Sequence, residues 1–109
     1  MPINNLEQKR FLIGKYALLL RWTDQGIKNV KDTIKRAESF KSYLEKKGGK
    51  LDDIFYTFGK YDAVITAELP SDELAMSVSL STGALGNVRF ATLKAFSLDE
   101  TRKIIDSLK

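Results

Sequence analysis

The sequence of 109 residues contains no cysteine and no histidine. The absence of cysteine excludes a disulfide framework, a thiolate metal site and a thiol nucleophile. The absence of histidine removes the usual ligands of zinc and iron, and also the Ser-His and Cys-His catalytic pairs. Any metal site would need oxygen ligands alone, from Asp, Glu and carbonyl groups. We therefore predict neither a metal nor a cofactor.

Long hydrophobic runs are absent as well. The opening segment, MPINNLEQKRFLIGKYALLLRW, lacks the pattern of a signal peptide, because Lys15 and Arg21 interrupt its apolar stretches and no small-residue cleavage site follows. No stretch approaches the roughly 18 apolar residues of a membrane-spanning helix. We expect a cytoplasmic protein without membrane contact.

The length suits one domain with one core. The charge is uneven along the chain: residues 1–60 carry 13 Lys/Arg and 7 Asp/Glu (net +6), whereas residues 61–109 carry 5 and 7 (net −2), which gives the overall +4. Most of the positive excess lies on one predicted helix, where it indicates a solvated helix face or, alternatively, attraction for an anion.

Hydrophobic periodicity and turn residues predict seven elements. Residues 1–14 lack clear periodicity and are interpreted as an N-terminal extension, so the domain spans 15–109. A capping box, Ser97 with Glu100, begins a terminal helix whose Leu98, Ile105 and Leu108 are expected to face inward. The predicted elements are a strand at 15–22, a helix from about Ile27 to 47, strands at 51–58 and 62–69, a helix at 72–83, a strand at 87–96 and the terminal helix.

This order, β-α-β-β-α-β-α, predicts an α+β protein of ferredoxin-like fold with a C-terminal helix. In such a fold two helices cover one face of a four-stranded antiparallel sheet, and the other face should be polar. Both faces of every predicted strand here carry apolar residues; Leu18 and Leu19, for example, point to opposite sides of the first strand. We therefore predict a homodimer or higher oligomer in which two sheets pack together as a dimeric α/β barrel and bury about 1,600 Å² or more.

The same segments resemble the GYD-domain family of small bacterial and archaeal proteins. The resemblance rests on RWTDQG (21–26), NVKDTIKRAE (29–38), GGK (48–50), YTFGKYDAV (56–64), PSDE (70–73) and GNVRFATLKAF (86–96), in order and at matching spacing. It covers roughly residues 15–105. It implies a dimeric α/β-barrel fold and no established activity.

The segment YTFGKYDAVI (56–65) joins two predicted strands through a turn. Gly59 can supply a positive φ there, and Asp62 can accept hydrogen bonds from turn amides. The alternative is that Tyr61 and Asp62 form the polar end of a pocket, with the phenol as acid or hydrogen-bond donor.

Two further segments carry candidate ligand-binding residues. In WTDQG (22–26), Thr23 and Asp24 are suited to cap the following helix, or Trp22 and Asp24 line the mouth of a ligand site. The sequence does not assign this segment and the 56–65 turn to a single site. Arg89 either pairs within the sheet or, with Thr92 or Thr66, holds an anionic small molecule.

Three functional classes follow from these features. The first is a non-catalytic oligomeric module that binds a small metabolite, an anion among the candidates, or another protein. The second is a small cofactor-free enzyme, by analogy with monooxygenase-like and isomerase-like proteins of the same fold. RNA binding, the third, is not expected, because the strands lack the aromatic motif of RNA-recognition modules.

Overall fold

A computed structural model describes residues 14–109. The predicted N-terminal extension therefore lies outside the described residues, except for Gly14, which begins the first strand. The elements, in chain order, are β1 (Gly14–Trp22), α1 (Asp24–Lys28), a 3-10 turn (Val30–Asp32), α2 (Thr33–Lys46), β2 (Lys50–Tyr56), β3 (Ala63–Leu69), α3 (Asp72–Ala84), β4 (Val88–Ala95) and α4 (Leu98–Asp106).

The four strands form one antiparallel sheet in the order β2-β3-β1-β4. This arrangement confirms the predicted α+β, ferredoxin-like fold with a C-terminal helix. Helices α2 and α3 pack on one face, and every second residue of the two central strands is buried beneath them. The buried core comprises Tyr16, Leu18, Leu20, Leu44, Ala63, Ile65, Ala67, Leu69, Ala75, Val78 and Val88.

The first predicted helix is interrupted. The Thr23 hydroxyl accepts a hydrogen bond from the Gly26 amide and begins α1 earlier than the periodicity indicated. The chain then passes through the 3-10 turn before α2 starts at Thr33. As a result, Ile27 and Ile34 lie at the exposed surface. The helical spacing of Ile27, Ile34 and Leu44 predicts one apolar stripe along the helix, and this prediction is wrong in its first half. Only its second half, which ends at the fully buried Leu44, faces the sheet.

Helix α4 has the predicted capping box: the Ser97 hydroxyl accepts from the Glu100 amide at 3.0 Å, and the Glu100 carboxylate accepts from the Ser97 amide at 3.0 Å. The predicted inward orientation of Leu98, Ile105 and Leu108 is wrong for the single chain, where all three are exposed. These side chains are exposed because of where helix α4 lies. Helix α4 follows the edge strand β4 and packs little against the rest of the described chain.

Candidate functional site

A cavity of about 700 Å³ lies between the sheet and the two helices that cover it. Its floor consists of apolar side chains from all four strands: Leu20, Ile54, Ile65, Val88 and Phe90. The cavity exists because α2 and α3 meet the sheet side by side but leave a gap near the start of α2 and the end of α3. Binding cavities for small molecules have this size and this apolar character.

Helix α2 forms one wall and the end of α3 with its following turn forms the other. The residues from α2 are Thr33, Lys35, Arg36, Ala37, Ser39, Phe40 and Tyr43, and those from the second wall are Ser81, Thr82, Leu85 and Asn87. Trp22 and Tyr56 complete the lining. The hydroxyls, amide and cations are thus arranged around a mainly apolar interior.

Two aromatic pairs give the cavity its shape. The rings of Trp22 and Tyr56 are stacked, with centroids 6.1 Å apart and planes inclined by 13°. Phe40 of α2 and Phe90 of β4 lie 5.6 Å apart at an angle of 41°. Offset and tilted arrangements of this kind are the favourable geometries for aromatic rings, and each pair links a different combination of elements. The pairs therefore hold two sides of the cavity in place.

Arg36 is the half-buried cation of the lining. Its Nη1 donates to the carbonyl of Asn29 at 2.9 Å, and its Nη2 donates to the hydroxyl of Thr33 at 3.4 Å. The Asn29 carbonyl belongs to the interruption between α1 and α2, so the break in the helix supplies the group that orients the guanidinium. Within residues 14–109, Arg36 forms no ion pair with a carboxylate.

Tyr56 is the lining residue whose proton affinity is altered by this environment. Burial raises the pKa of its phenol above the ordinary value, and the positive charge of Arg36 opposes part of that rise. The phenol therefore remains protonated at neutral pH and is available as a hydrogen-bond donor next to Arg36.

The β2–β3 turn and the end of β1, which the sequence left unassigned to a common site, lie together. The Asp62 carboxylate accepts a hydrogen bond from the Trp22 amide at 2.9 Å, and the Asp62 amide donates to the carbonyl of Leu20 at 2.8 Å. Of these residues Leu20 and Trp22 line the cavity, and Asp62 does not. Asp62 fixes the backbone that presents the Trp22 ring.

Tyr61 and Asp24 lie outside the cavity lining. Tyr61 is half-buried in the turn, where its carbonyl accepts from the Thr57 hydroxyl at 2.7 Å and the Lys60 ammonium lies 5.8 Å from its ring. Gly59 has φ +123°, as the turn prediction requires. Asp24 is exposed in the first turn of α1, where its charge suits the helix N-terminus.

Arg89 and Thr92 point to opposite faces of β4, and the structure does not bring them together. The Thr92 hydroxyl forms a hydrogen bond with Ser79 of α3, on the helix side of the sheet. Arg89 lies on the other face, directly opposite Arg21 in the β1–β4 register. Its Nη1 reaches round the edge strand, to within 3.7 Å of the position that a Cβ atom would take at Gly83.

A second cluster of polar side chains lies at the far end of the sheet. The Tyr16 hydroxyl donates to the Asp72 carboxylate, and the Lys94 ammonium is 3.5 Å from that carboxylate and 4.6 Å from the centre of the Tyr16 ring. The hydrogen bond from Tyr16, reinforced by the Lys94 charge, lowers the pKa of Asp72. These contacts join the start of α3 to β1 and β4, away from the cavity.

Sequence reasoning did not find Arg36, Phe40, Tyr56 or Phe90 as site residues. The helical stripe contained Phe40 as a core residue, and Arg36 was grouped with the solvated, basic face of the same helix. One feature of the sequence indicates a role for Arg36 in the cavity. It occurs at the boundary between the apolar and charged sides of α2, where a long side chain can reach inward.

The sequence model of the GYD domain family matches residues 16–105. The match covers most of the chain, so the protein belongs to the GYD-domain family, as the resemblance of its motifs indicated. No curated protein and no solved structure matches the chain.

Two kinds of feature are absent from the described part of the chain. Residues 14–109 contain no cluster of three or more His, Cys, Asp or Glu side chains that could hold a metal ion. None of the helices in this part is long and apolar enough to cross a membrane.

Proposed function

We propose that this GYD-domain protein binds a small, mainly apolar metabolite in the cavity between the sheet and helices α2 and α3, and that it does so as a cytoplasmic homodimer. The observation that supports ligand binding is the cavity itself: its volume of about 700 Å³ is sufficient for a drug-sized molecule. The cytoplasmic location agrees with the absence of cysteine, because small secreted domains commonly depend on disulfides.

The chemistry of the lining favours binding over catalysis by proton transfer. Its ionisable side chains are Lys35, Arg36, Tyr43 and Tyr56, and none of the lining residues is a carboxylate. A general base at neutral pH is most often a histidine or a carboxylate, and the lining contains neither. A cofactor-free enzyme remains the second candidate from the sequence, but no contact in the cavity supports it.

Filling the cavity provides the test of ligand binding. Phenylpropanol, a neutral probe, is titrated into the wild type while the fluorescence of Trp22, the single tryptophan, is followed. Ala37→Phe places a ring in the cavity and should weaken binding by roughly tenfold or more. Ala84→Phe adds the same ring to the exposed side of α3 and serves as the control. If neither phenylpropanol nor its acid, phenylpropanoate, binds the wild type, the proposed function is wrong.

The proposal of a homodimer concerns the open face of the sheet, which we define as the face without helices. Its centre is apolar and accessible: Phe55 is 64% exposed and Leu93 is 51% exposed. Val64, Leu19 and Ala91 continue the row of Phe55 in register across the sheet. Apolar surface of this kind marks an interface. A second copy of the chain offers the same surface, and two-fold symmetry allows each copy to cover the other.

The charged residues of the open face provide a basis for the proposed orientation of the two copies. At one end Arg21 is directly opposite Arg89 in the register, although the Arg89 guanidinium extends round the edge strand towards Gly83. Towards the other end lie Asp53 and Glu68, and Glu68 is the register partner of both Lys15 and Lys50. If the two sheets pack with β1 of one copy antiparallel to β1 of the other, the arginines of each copy face the carboxylates of its partner.

Charge reversal tests this orientation. The double variants Arg21→Glu/Arg89→Glu and Asp53→Arg/Glu68→Arg should each be monomeric in light scattering, and an equimolar mixture of the two should form a heterodimer. Lys28→Glu/Lys31→Glu, on the exposed surface around the end of α1, is the control and should remain dimeric. A wild type that runs as a 12.3 kDa monomer at micromolar concentration contradicts the dimer. Double variants that remain dimeric contradict the orientation.

A further inference from the structure

The orientation and surroundings of Arg36 indicate the chemical class of the ligand, an inference that rests on the proposed function of the cavity. A guanidinium group has five N–H donors. Within the described residues two of these interactions are made, with the Asn29 carbonyl and the Thr33 hydroxyl. Both acceptors are uncharged, so the positive charge of this half-buried side chain has no counter-ion in residues 14–109.

The charge of the cavity is all of one sign. Lys35 and Arg36 are the charged members of the lining, and the acidic residues of α2 and α3 lie outside it. Lys35 is exposed and Arg36 is half-buried. Because apolar walls lower the local dielectric constant, the charge of Arg36 acts more strongly on a bound molecule. A ligand with one negative charge is favoured over a cation.

The guanidinium fork and the neighbouring phenol select the kind of anion. A carboxylate is planar and can accept two parallel hydrogen bonds from a guanidinium. Tyr56, also in the lining, is a protonated donor close enough for Arg36 to influence it. Arg36 and Tyr56 thus offer a carboxylate two kinds of hydrogen-bond donor, whereas a phosphate carries more charge and costs more to bury in a mainly apolar cavity.

The remainder of the lining favours a ring. Five of the lining residues are aromatic, and they include the stacked Trp22–Tyr56 pair and the tilted Phe40–Phe90 pair. A planar ring gains offset-stacked and edge-to-face contacts from such walls in addition to the burial of apolar area. We propose that the cavity binds an aromatic monocarboxylate, with its carboxylate paired to Arg36 and Tyr56 and its ring against the aromatic walls.

Matched probes test the assignment. Phenylpropanoate and phenylpropanol have the same ring and chain and differ in the carboxylate, so their affinities isolate the charged contact. Isothermal titration should show the acid binding roughly ten- to a hundredfold more tightly than the alcohol, the range expected for hydrogen bonds to a charged group. Quenching or enhancement of Trp22 fluorescence should accompany both titrations and places the probes in the cavity.

Variants of Arg36 identify the group that recognises the acid. Arg36→Gln should remove the preference for the acid and leave the affinity for the alcohol within about twofold. Arg36→Lys keeps the charge but loses the fork, and should retain an intermediate preference. Lys41→Gln, at an exposed cation of the same helix outside the lining, is the control and should keep the full preference. Circular dichroism confirms that each variant is folded.

The outcomes separate this inference from the proposed function. Equal binding of acid and alcohol to the wild type, or an unchanged acid preference in Arg36→Gln, overturns the assignment of a carboxylate but leaves ligand binding in place. Tighter binding of phenylethyl phosphate than of phenylpropanoate also overturns it, in favour of a phosphorylated ligand. Failure of both the acid and the alcohol to bind overturns the inference together with the proposed function.

Discussion

Leu18 and Leu19 are adjacent residues of β1 whose substitution by alanine should have different consequences. Leu18 is 0% exposed and lies between Ile65 and Thr92, beneath the helices. Removing three buried carbon groups costs about 2.4 kcal/mol of transfer free energy at roughly 0.8 kcal/mol each, and the cavity left behind raises the loss to about 3–4 kcal/mol. Leu19 is half-exposed on the open face, so in a single chain its truncation should cost about 1 kcal/mol.

The comparison is made by urea unfolding in the Arg21→Glu/Arg89→Glu background, where the proposed dimer is absent and the two losses are intrinsic to one chain. For a domain of this length, Leu18→Ala corresponds to a decrease in melting temperature of roughly 12–20 °C. In the natural background, Leu19→Ala should also raise the dissociation constant of the dimer, and Leu18→Ala should leave it nearly unchanged. Equal losses of stability for the two variants in the monomeric background would refute the assignment of the two faces.

Three further predictions concern positions away from the cavity. Gly59→Ala has open space around the new methyl group but a φ of +123°, so it should cost roughly 1–2 kcal/mol in urea unfolding, and a loss near zero would contradict a required positive φ. Gly26→Ala places its methyl 1.9 Å from the Asn87 carbonyl oxygen and should destabilise more than Gly59→Ala; a smaller effect would show that the α1–β4 contact is not tight. The hydrogen bond from Tyr16 lowers the pKa of Asp72 in the folded state, so its contribution is present above the ordinary Asp pKa of 3.8 and is lost as the pH falls through the lower folded value. Tyr16→Phe should therefore differ most from wild type in urea midpoint near pH 6 and less near pH 3, and a constant difference would contradict this linkage.

The fold was predictable because each of its elements has a local signal. Gly59 in the β2–β3 turn and the Ser97–Glu100 capping box fulfil their predicted roles, and the Ser71 side chain caps α3 by accepting from the Leu74 amide. These signals depend on residues within a few positions of one another, so the sequence alone contains them. The alternation within the strands likewise predicted one buried and one apolar open face.

The candidate site was less predictable because it depends on how separate elements meet. Asn29 follows the last residue of α1, and its carbonyl accepts a hydrogen bond from Arg36. The hydrophobic periodicity of this segment predicts one continuous helix and therefore does not reveal this interaction. Likewise, whether Phe90 meets Phe40 depends on the spacing of α2 from the sheet. The orientation of α4 was mispredicted for a related reason: an amphipathic pattern shows that a helix has an apolar side but does not identify what covers it.

The alternation of side chains along β1 also relates the proposed ligand binding to the proposed dimerisation. Leu20 and Trp22 contribute to the cavity, whereas Leu19 and Arg21 belong to the open face, so the two surfaces share a backbone and no side chains. The cavity lies on the helix side of the sheet and the proposed partner covers the other side, so the proposed ligand site and the proposed dimer interface are separate surfaces. The surfaces approach each other most closely at the end of β1, where Asp62 fixes the Trp22 amide next to Arg21. If dimerisation shifts the backbone at Arg21, the adjacent Trp22 and its hydrogen bond to Asp62 shift with it. Coupling between dimerisation and ligand binding is therefore to be sought at this end of β1.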